Sequence, residues 1–170
     1  MEFNLETALI LITIILTGLT AGLCFTWTNA VTPGIGQLED LDFLRAFQQM
    51  NRTIINPTFI VVFFGPFIGN MAIIYLRYTN PDKSFWVLIA AAALFILGVV
   101  FVTVFRNIPL NEMLDKTDLA AATVEDLKAL RQKFEGPWKQ WHLVRTISST
   151  ASFALLLIGL LVTINHHNLS

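Results

Sequence analysis

Charge is scarce in this chain: Asp, Glu, Lys and Arg make up 14% of its 170 residues, against about a quarter in an average soluble domain. The chain has one cysteine, Cys24, which excludes an internal disulfide and any CxxC redox pair. No block of Lys and Arg occurs and the net charge is −1, so neither a nucleic-acid partner nor a polybasic lipid anchor is expected. Internal repeats and low-complexity segments are absent as well. Of the three histidines, His142 has no second histidine near it in an apolar stretch, and His166 and His167 diverge as neighbours on a helix, so no metal or haem pair is expected. Together these absences exclude a soluble enzyme, a nucleic-acid binder and a disordered tail.

What the chain has instead is apolar length. Thr7–Leu38, Thr53–Leu76, Ser84–Phe105 and Thr146–Ser170 carry no charged residue, and each runs 22 residues or more. Crossing a bilayer takes roughly 20 residues at about 1.5 Å each. Backbone groups facing lipid must be satisfied within the segment, so helices are the expected state. The pattern predicts an all-α, up-down bundle of four transmembrane helices, at about 7–30, 57–77, 85–105 and 139–164, in a single integral membrane domain over 1–170. No Asp or Glu lies within these spans, which argues against a channel or proton-coupled carrier. Glu2 and Glu6 stand where a cleaved leader would carry Lys or Arg, so the first apolar run is expected to be retained.

Short amphipathic helices are expected in both connections at one end of the bundle. In the first, Phe43, Leu44, Phe47 and Met50 share one face, placing the helix along the interface or under the bundle. In the second, Thr123-x-x-Asp126 resembles a capping box opening a short helix that Gly136-Pro137 ends. Asn80-Pro81-Asp82 marks a turn at the other end, and Gly65-Pro66 with Gly69-Asn70 marks a kink or close packing in the second span. Nine of the eleven cations belong to the two long connections and two, Arg77 and Lys83, to the opposite end. The positive-inside rule then places both termini outside, in what is expected to be a bacterial plasma membrane. That topology puts the glycosylation-like Asn51-Arg52-Thr53 inside, where it is read as chance.

Polar residues gather at the cation-rich end. On the fourth span Trp138, Trp141, His142, Arg145, Ser149 and Ser152 fall within about 100° of arc, and on the first so do Thr13, Thr17, Thr20, Cys24, Trp27 and Thr28. Such stripes should face the bundle interior, since polar groups turned to lipid lack partners. Each feature also has a structural reading: Thr and Ser as interhelical hydrogen bonds, Trp as an interfacial belt, and arginines snorkelling at helix ends. The argument for a site is the convergence of Asn29, Asn51, Asn56, Arg106, Asn107, Asn111, Trp141, His142 and Arg145.

Four motifs run in order along the chain: Ala21-Gly22-Leu23-x-Phe25-x-Trp27-x-Asn29-x-Val31-x-Pro33-Gly34, Asn51-Arg52-x-Ile54-x-Asn56-Pro57, Asn107-x-Pro109-Leu110-Asn111 and Trp138-x-x-Trp141-His142-x-x-Arg145-Thr146. The ordered set resembles the anthrone oxygenase-like family of membrane proteins, with one departure: the family often carries Asn where this chain has His142. Some members oxidise anthrones to anthraquinones without a recognised metal or flavin. The resemblance therefore implies a cofactor-independent monooxygenase acting on a lipophilic anthrone- or quinone-type molecule. Such chemistry needs a base, a cation for the developing oxyanion and a water-poor aromatic cavity. On that reading His142 is the base and Arg145 and Arg106 hold the oxyanion. Asn107 and Asn111 orient the carbonyl, Trp138 and Trp141 stack on the substrate, and Trp27, Asn29, Asn51 and Asn56 complete the binding site. The expected partners are the lipid bilayer, an aromatic small molecule and molecular oxygen, with homo-oligomer formation left open and no cofactor or metal. The alternative is a non-catalytic four-helix membrane protein that binds a lipid or hydrophobic ligand, or serves as a subunit or assembly partner.

Overall fold

The computed structural model describes residues 5–79 and 81–167, with side chains as far as residue 164. Asn80 of the expected turn and the side chains of His166 and His167 lie outside the described residues. Every regular element among the described residues is helical. The first span is α1, Leu5–Thr26, which widens into a π-helical turn at Trp27–Val31 and closes with α2, Thr32–Ile35. A connecting helix, α3, Asp40–Ile54, is followed by the second span, α4, Pro57–Arg77. The third span begins as α5, Lys83–Phe95, passes through two π-helical stretches at Ile96–Phe101 and Thr103–Asn107, and continues as α6, Ile108–Asp115. The last helix, α7, Val124–His167, contains the fourth span. Four helical stretches are thus long and apolar enough to cross a membrane: Leu5–Ile35, Pro57–Arg77, Lys83–Asp115 and Val124–Ile164. The protein is a multi-pass membrane protein built as a helix bundle.

The spans close a ring in which α1 packs on α4 and α7, and α5 packs on α4 and α7. Small residues set the close approaches. A side chain at Gly69 would meet Thr13 Oγ1 at 2.2 Å, and one at Gly98 would meet Ser148 Oγ at 2.1 Å, so α1 is backbone-close to α4 at the first point, and the π-helical stretch after α5 is backbone-close to α7 at the second. The Thr and Ser stripes face inward, as their arcs predict. Thr13 and Thr17 bond back to their own helix, while Ser152 Oγ crosses to the Ala91 carbonyl at 2.8 Å. In α4, Pro66 has no N–H to offer the Val62 carbonyl one turn earlier, and the Thr20 hydroxyl of α1 donates to that carbonyl at 2.8 Å.

Far from the cation-rich end, Arg77 ties four helices together. It meets Glu6 of α1 at 3.1 Å, Asp82 at 3.2 Å, Ser84 of α5 at 2.6 Å and Thr163 of α7 at 3.1 Å. Asp82 also caps α5, accepting from the Phe85 N–H at 2.9 Å.

At the cation-rich end, α3 folds under the bundle. Its Phe43, Leu44 and Phe47 are buried with Leu114, Leu127, Phe134 and Trp138. The Thr123–Asp126 capping box is present, each backbone N–H donating to the other's side chain. The helix it opens is not short: the expectation that Gly136-Pro137 ends it is incorrect, because α7 runs through both residues. Two features hold the helix across the proline. Glu135 pairs with Arg131 behind it and Lys139 beyond it, and Phe134 and Trp138 are anchored in one aromatic cluster with Phe47. The second connection therefore consists of extensions of the third and fourth spans around a short turn. Arg131 also donates to the carbonyls of Gly36 and Leu38 at 2.7 Å each, pinning the loop that leads into α3.

Candidate functional site

Above this aromatic cluster lies a cavity of about 320 Å³, bounded by α1, the end of α3, α4, the region around Thr103–Asn111 and α7. Its walls are mostly apolar, from Ile54, Phe59, Phe63 and Phe64, and its polar lining comes from Asn51, Asn111, His142 and Arg145. Exposed apolar side chains, among them Ile55, Ile60 and Ile108, belong to its lining. A smaller depression shares Asn51, Ile55, Ile108 and Asn111 with it and leads toward the Arg52–Asp115 ion pair. A third, of about 460 Å³, is shallow and polar and involves none of His142, Arg145 or the tryptophans.

His142 is held by its backbone neighbours across the bundle. Its Nε2 lies 3.0 Å from the Cys24 carbonyl, one turn before α1 widens into π-helix, and Thr146 Oγ1 lies 3.2 Å from the same oxygen. A carbonyl can only accept, so Nε2 carries the hydrogen, and in the neutral ring Nδ1 is the bare nitrogen. Nδ1 is buried and has no partner. One face of the imidazole lies parallel to Trp138, 4.6 Å between centroids and 11° between planes. Trp138 is in turn fixed by donating from Nε1 to Asn111 Oδ1 at 2.8 Å. That face of the Trp138 ring is therefore covered by His142.

Arg145, one turn further along α7, is 9% exposed, sits 6.0 Å over the Phe63 ring and makes no ion pair. Its Nε is buried without an acceptor. Asn51 Nδ2 and Asn107 Oδ1 are buried and unpartnered too, although Asn107 donates from Nδ2 to the Trp138 carbonyl at 3.4 Å. Leaving such groups unpaired is costly, and three of the four belong to residues that line the cavity.

The residues singled out from sequence divide into two sets. Trp27, Asn51, Asn111, Trp138, His142 and Arg145 line the cavity, and Asn107 is buried against the Trp138 backbone. Asn56 caps α4 by accepting from the Phe59 N–H at 3.0 Å, and Asn29 is exposed on the π-helical turn. Arg106 is exposed and stacks over Trp141 at 4.8 Å, outside the cavity lining. Sequence reasoning missed Phe59 and Phe63, whose i, i+4 spacing on α4 was a usable signal. It also missed the Cys24 carbonyl, for which a side-chain reading offers none. No group of three His, Cys, Asp or Glu side chains suited to a metal occurs among the described residues.

A sequence model of the anthrone oxygenase family matches residues 58–155. The chain belongs to the anthrone oxygenase family. No curated protein and no solved structure matches it. In this anthrone oxygenase-family protein the matched residues include Phe63, Asn107, Asn111, Trp138, His142 and Arg145. Cys24, Trp27 and Asn51 enter the cavity from outside that stretch.

Proposed function

We propose that this protein oxidises a flat, lipophilic aromatic ketone of the anthrone type with molecular oxygen, in the cavity beside His142 and Arg145. The observation that carries this reading is that three residues lining an apolar cavity, Asn51, His142 and Arg145, each keep a buried, unpartnered polar atom, Nδ2, Nδ1 and Nε respectively. A bound ketone supplies acceptors for the donors among them, and its rings fill the space between Phe59, Phe63 and Trp27.

On this reading the chemistry uses one base and one cation. The bare Nδ1 of His142 removes a proton from the ring carbon opposite the ketone, and the electron pair moves onto the ketone oxygen. Arg145 holds that oxyanion in a water-poor site, where a cation acts more strongly than in solution. The electron-rich enolate then reduces oxygen and forms a carbon–oxygen bond, giving a hydroperoxide after protonation. Loss of water from the hydroperoxide leaves a second carbonyl, so CH2 and O2 become C=O and H2O. The Nε2–H bond to Cys24 keeps the ring oriented throughout.

The test is oxygen-dependent conversion of anthrone by purified protein, comparing wild type with His142→Ala and Arg145→Ala. Wild type is expected to exceed the spontaneous rate and both variants to fall toward it. Equal product from all three, or none above the spontaneous rate, overturns the reading and leaves the cavity to a non-catalytic ligand.

A further inference from the structure

Two arginines are buried among the described residues, and they are treated differently. Arg77 has two carboxylates, Glu6 and Asp82, within 3.2 Å. Arg145 has none, although it lies inside a membrane-spanning helix where an uncompensated charge is most expensive. No Asp or Glu lines the cavity. The acids closest to its mouth, Glu112 and Asp115 in the adjoining depression, are already paired with Lys116 at 3.0 Å and Arg52 at 2.6 Å. Among the described residues no carboxylate balances the Arg145 charge, the Cys24 thiol being the side chain that interacts with it, and its Nε is bare of acceptors.

We infer that the site takes a ligand that carries an anionic oxygen, a phenolate or carboxylate on a flat apolar body, with Arg145 as the fixed counter-charge. This rests on the reading of the cavity as a ligand site and is independent of whether oxidation follows. A neutral carbonyl offers Arg145 a dipole, whereas an ionised oxygen also cancels the charge, and charge-assisted hydrogen bonds are the stronger kind. The volume, about 320 Å³, lies at the small end of ligand pockets and suits two or three fused rings. The exposed apolar lining, with Ile55 73% exposed, suits such a body.

The experiment is binding to protein in nanodiscs of zwitterionic lipid, with empty discs subtracted. The probes are anthracene-9-carboxylate and its neutral isostere anthracene-9-carboxamide. Neither has a benzylic hydrogen to lose, so no turnover accompanies binding. Wild type is expected to bind the carboxylate at least tenfold more tightly than the amide, read by anthracene anisotropy and quenching of tryptophan emission. Arg145→Lys, which retains the charge, is expected to keep the preference, and Arg145→Met to abolish it. Affinities within threefold of each other in wild type, or a preference that Arg145→Met leaves intact, overturn the inference. Should Arg145→Met fail to fold, the wild-type comparison decides alone. A clear carboxylate preference without anthrone oxidation would sink the proposed reaction and leave the anion site standing.

Discussion

Thr20 donates its hydroxyl hydrogen to the carbonyl of Val62, closing at 2.8 Å a gap that Pro66 opens in the neighbouring helix. The proline lacks the N–H that would have reached Val62 from within α4, and in lipid a free carbonyl finds no water. A double-mutant cycle tests the dependence. Thr20→Val alone is expected to destabilise the bundle by about 1 kcal/mol. In a Pro66→Ala background, where the backbone N–H returns, the same change is expected to cost much less. Equal losses in both backgrounds, measured by unfolding in detergent, would show that the two residues are not coupled.

Gly69 and Gly22 both sit in spans, yet their substitution should differ sharply. Alanine at Gly69 places a methyl 2.2 Å from Thr13 Oγ1 and 3.1 Å from Thr13 Cβ, whereas at Gly22 nothing lies within 4 Å. Gly69→Ala is expected to lose about 1–3 kcal/mol through forced separation of α1 and α4. Gly22→Ala is expected to be neutral or slightly stabilising, by up to about 1 kcal/mol of helix propensity. Parallel thermal unfolding of the two variants measures the contrast.

His142→Gln separates fixation of the ring from proton transfer. Glutamine keeps an N–H donor for the Cys24 carbonyl, which His142 now serves at 3.0 Å, but has no basic nitrogen. The variant is expected to unfold within about 1 kcal/mol of wild type. Anthrone conversion is expected to drop by roughly 10²- to 10⁴-fold, the usual range for loss of a general base. Retained conversion by the folded variant would remove His142 from the chemistry.

Acid should loosen the end opposite the cavity through Asp82. Partial burial raises its pKa, but the Ser84 hydroxyl, the Phe85 N–H and the Arg77 charge more than offset this, leaving it below its ordinary value of 3.8. A carboxylate with a depressed folded-state pKa contributes stability that is fully present above 3.8 and is lost as pH falls through the lower, folded-state value. Wild type is therefore expected to hold this contribution unchanged from pH 7 to about pH 5 and to lose it below about pH 4. Asp82→Asn should be less stable at neutral pH and show a smaller loss on acidification, as read by melting temperature across pH.

Side-chain pattern alone identified the elements that bury whole faces. Charge-free windows longer than a bilayer is thick located the spans, and the spacing of Phe43, Leu44 and Phe47 identified the buried side of α3. Inward stripes on α1 and α7 were visible for the same reason: a period near 3.6 leaves one face for polar groups, and lipid cannot take them. The passage of α7 through Gly136-Pro137 was not visible, because a local breaker was outweighed by an aromatic cluster and an ion-pair ladder that depend on α3 and the next turn of α7.

The asparagines show where residue type stops being informative. Asn51, Asn56, Asn107 and Asn111 have the same chemistry, yet one lines the cavity with its Nδ2 buried and unpartnered, one caps α4, one supports the Trp138 backbone and one fixes the Trp138 indole. Composition and periodicity decided that this chain crosses a membrane four times and keeps its polar side chains inside the bundle, since the cost of the alternative is local to each residue. Which polar group finds a partner depends on how α1, α3, α4 and α7 cross. That geometry turned the Cys24 carbonyl toward His142 and left Arg145 without a carboxylate. Hydrogen bonds and ion pairs act over a few ångströms, so only the packed bundle settles them.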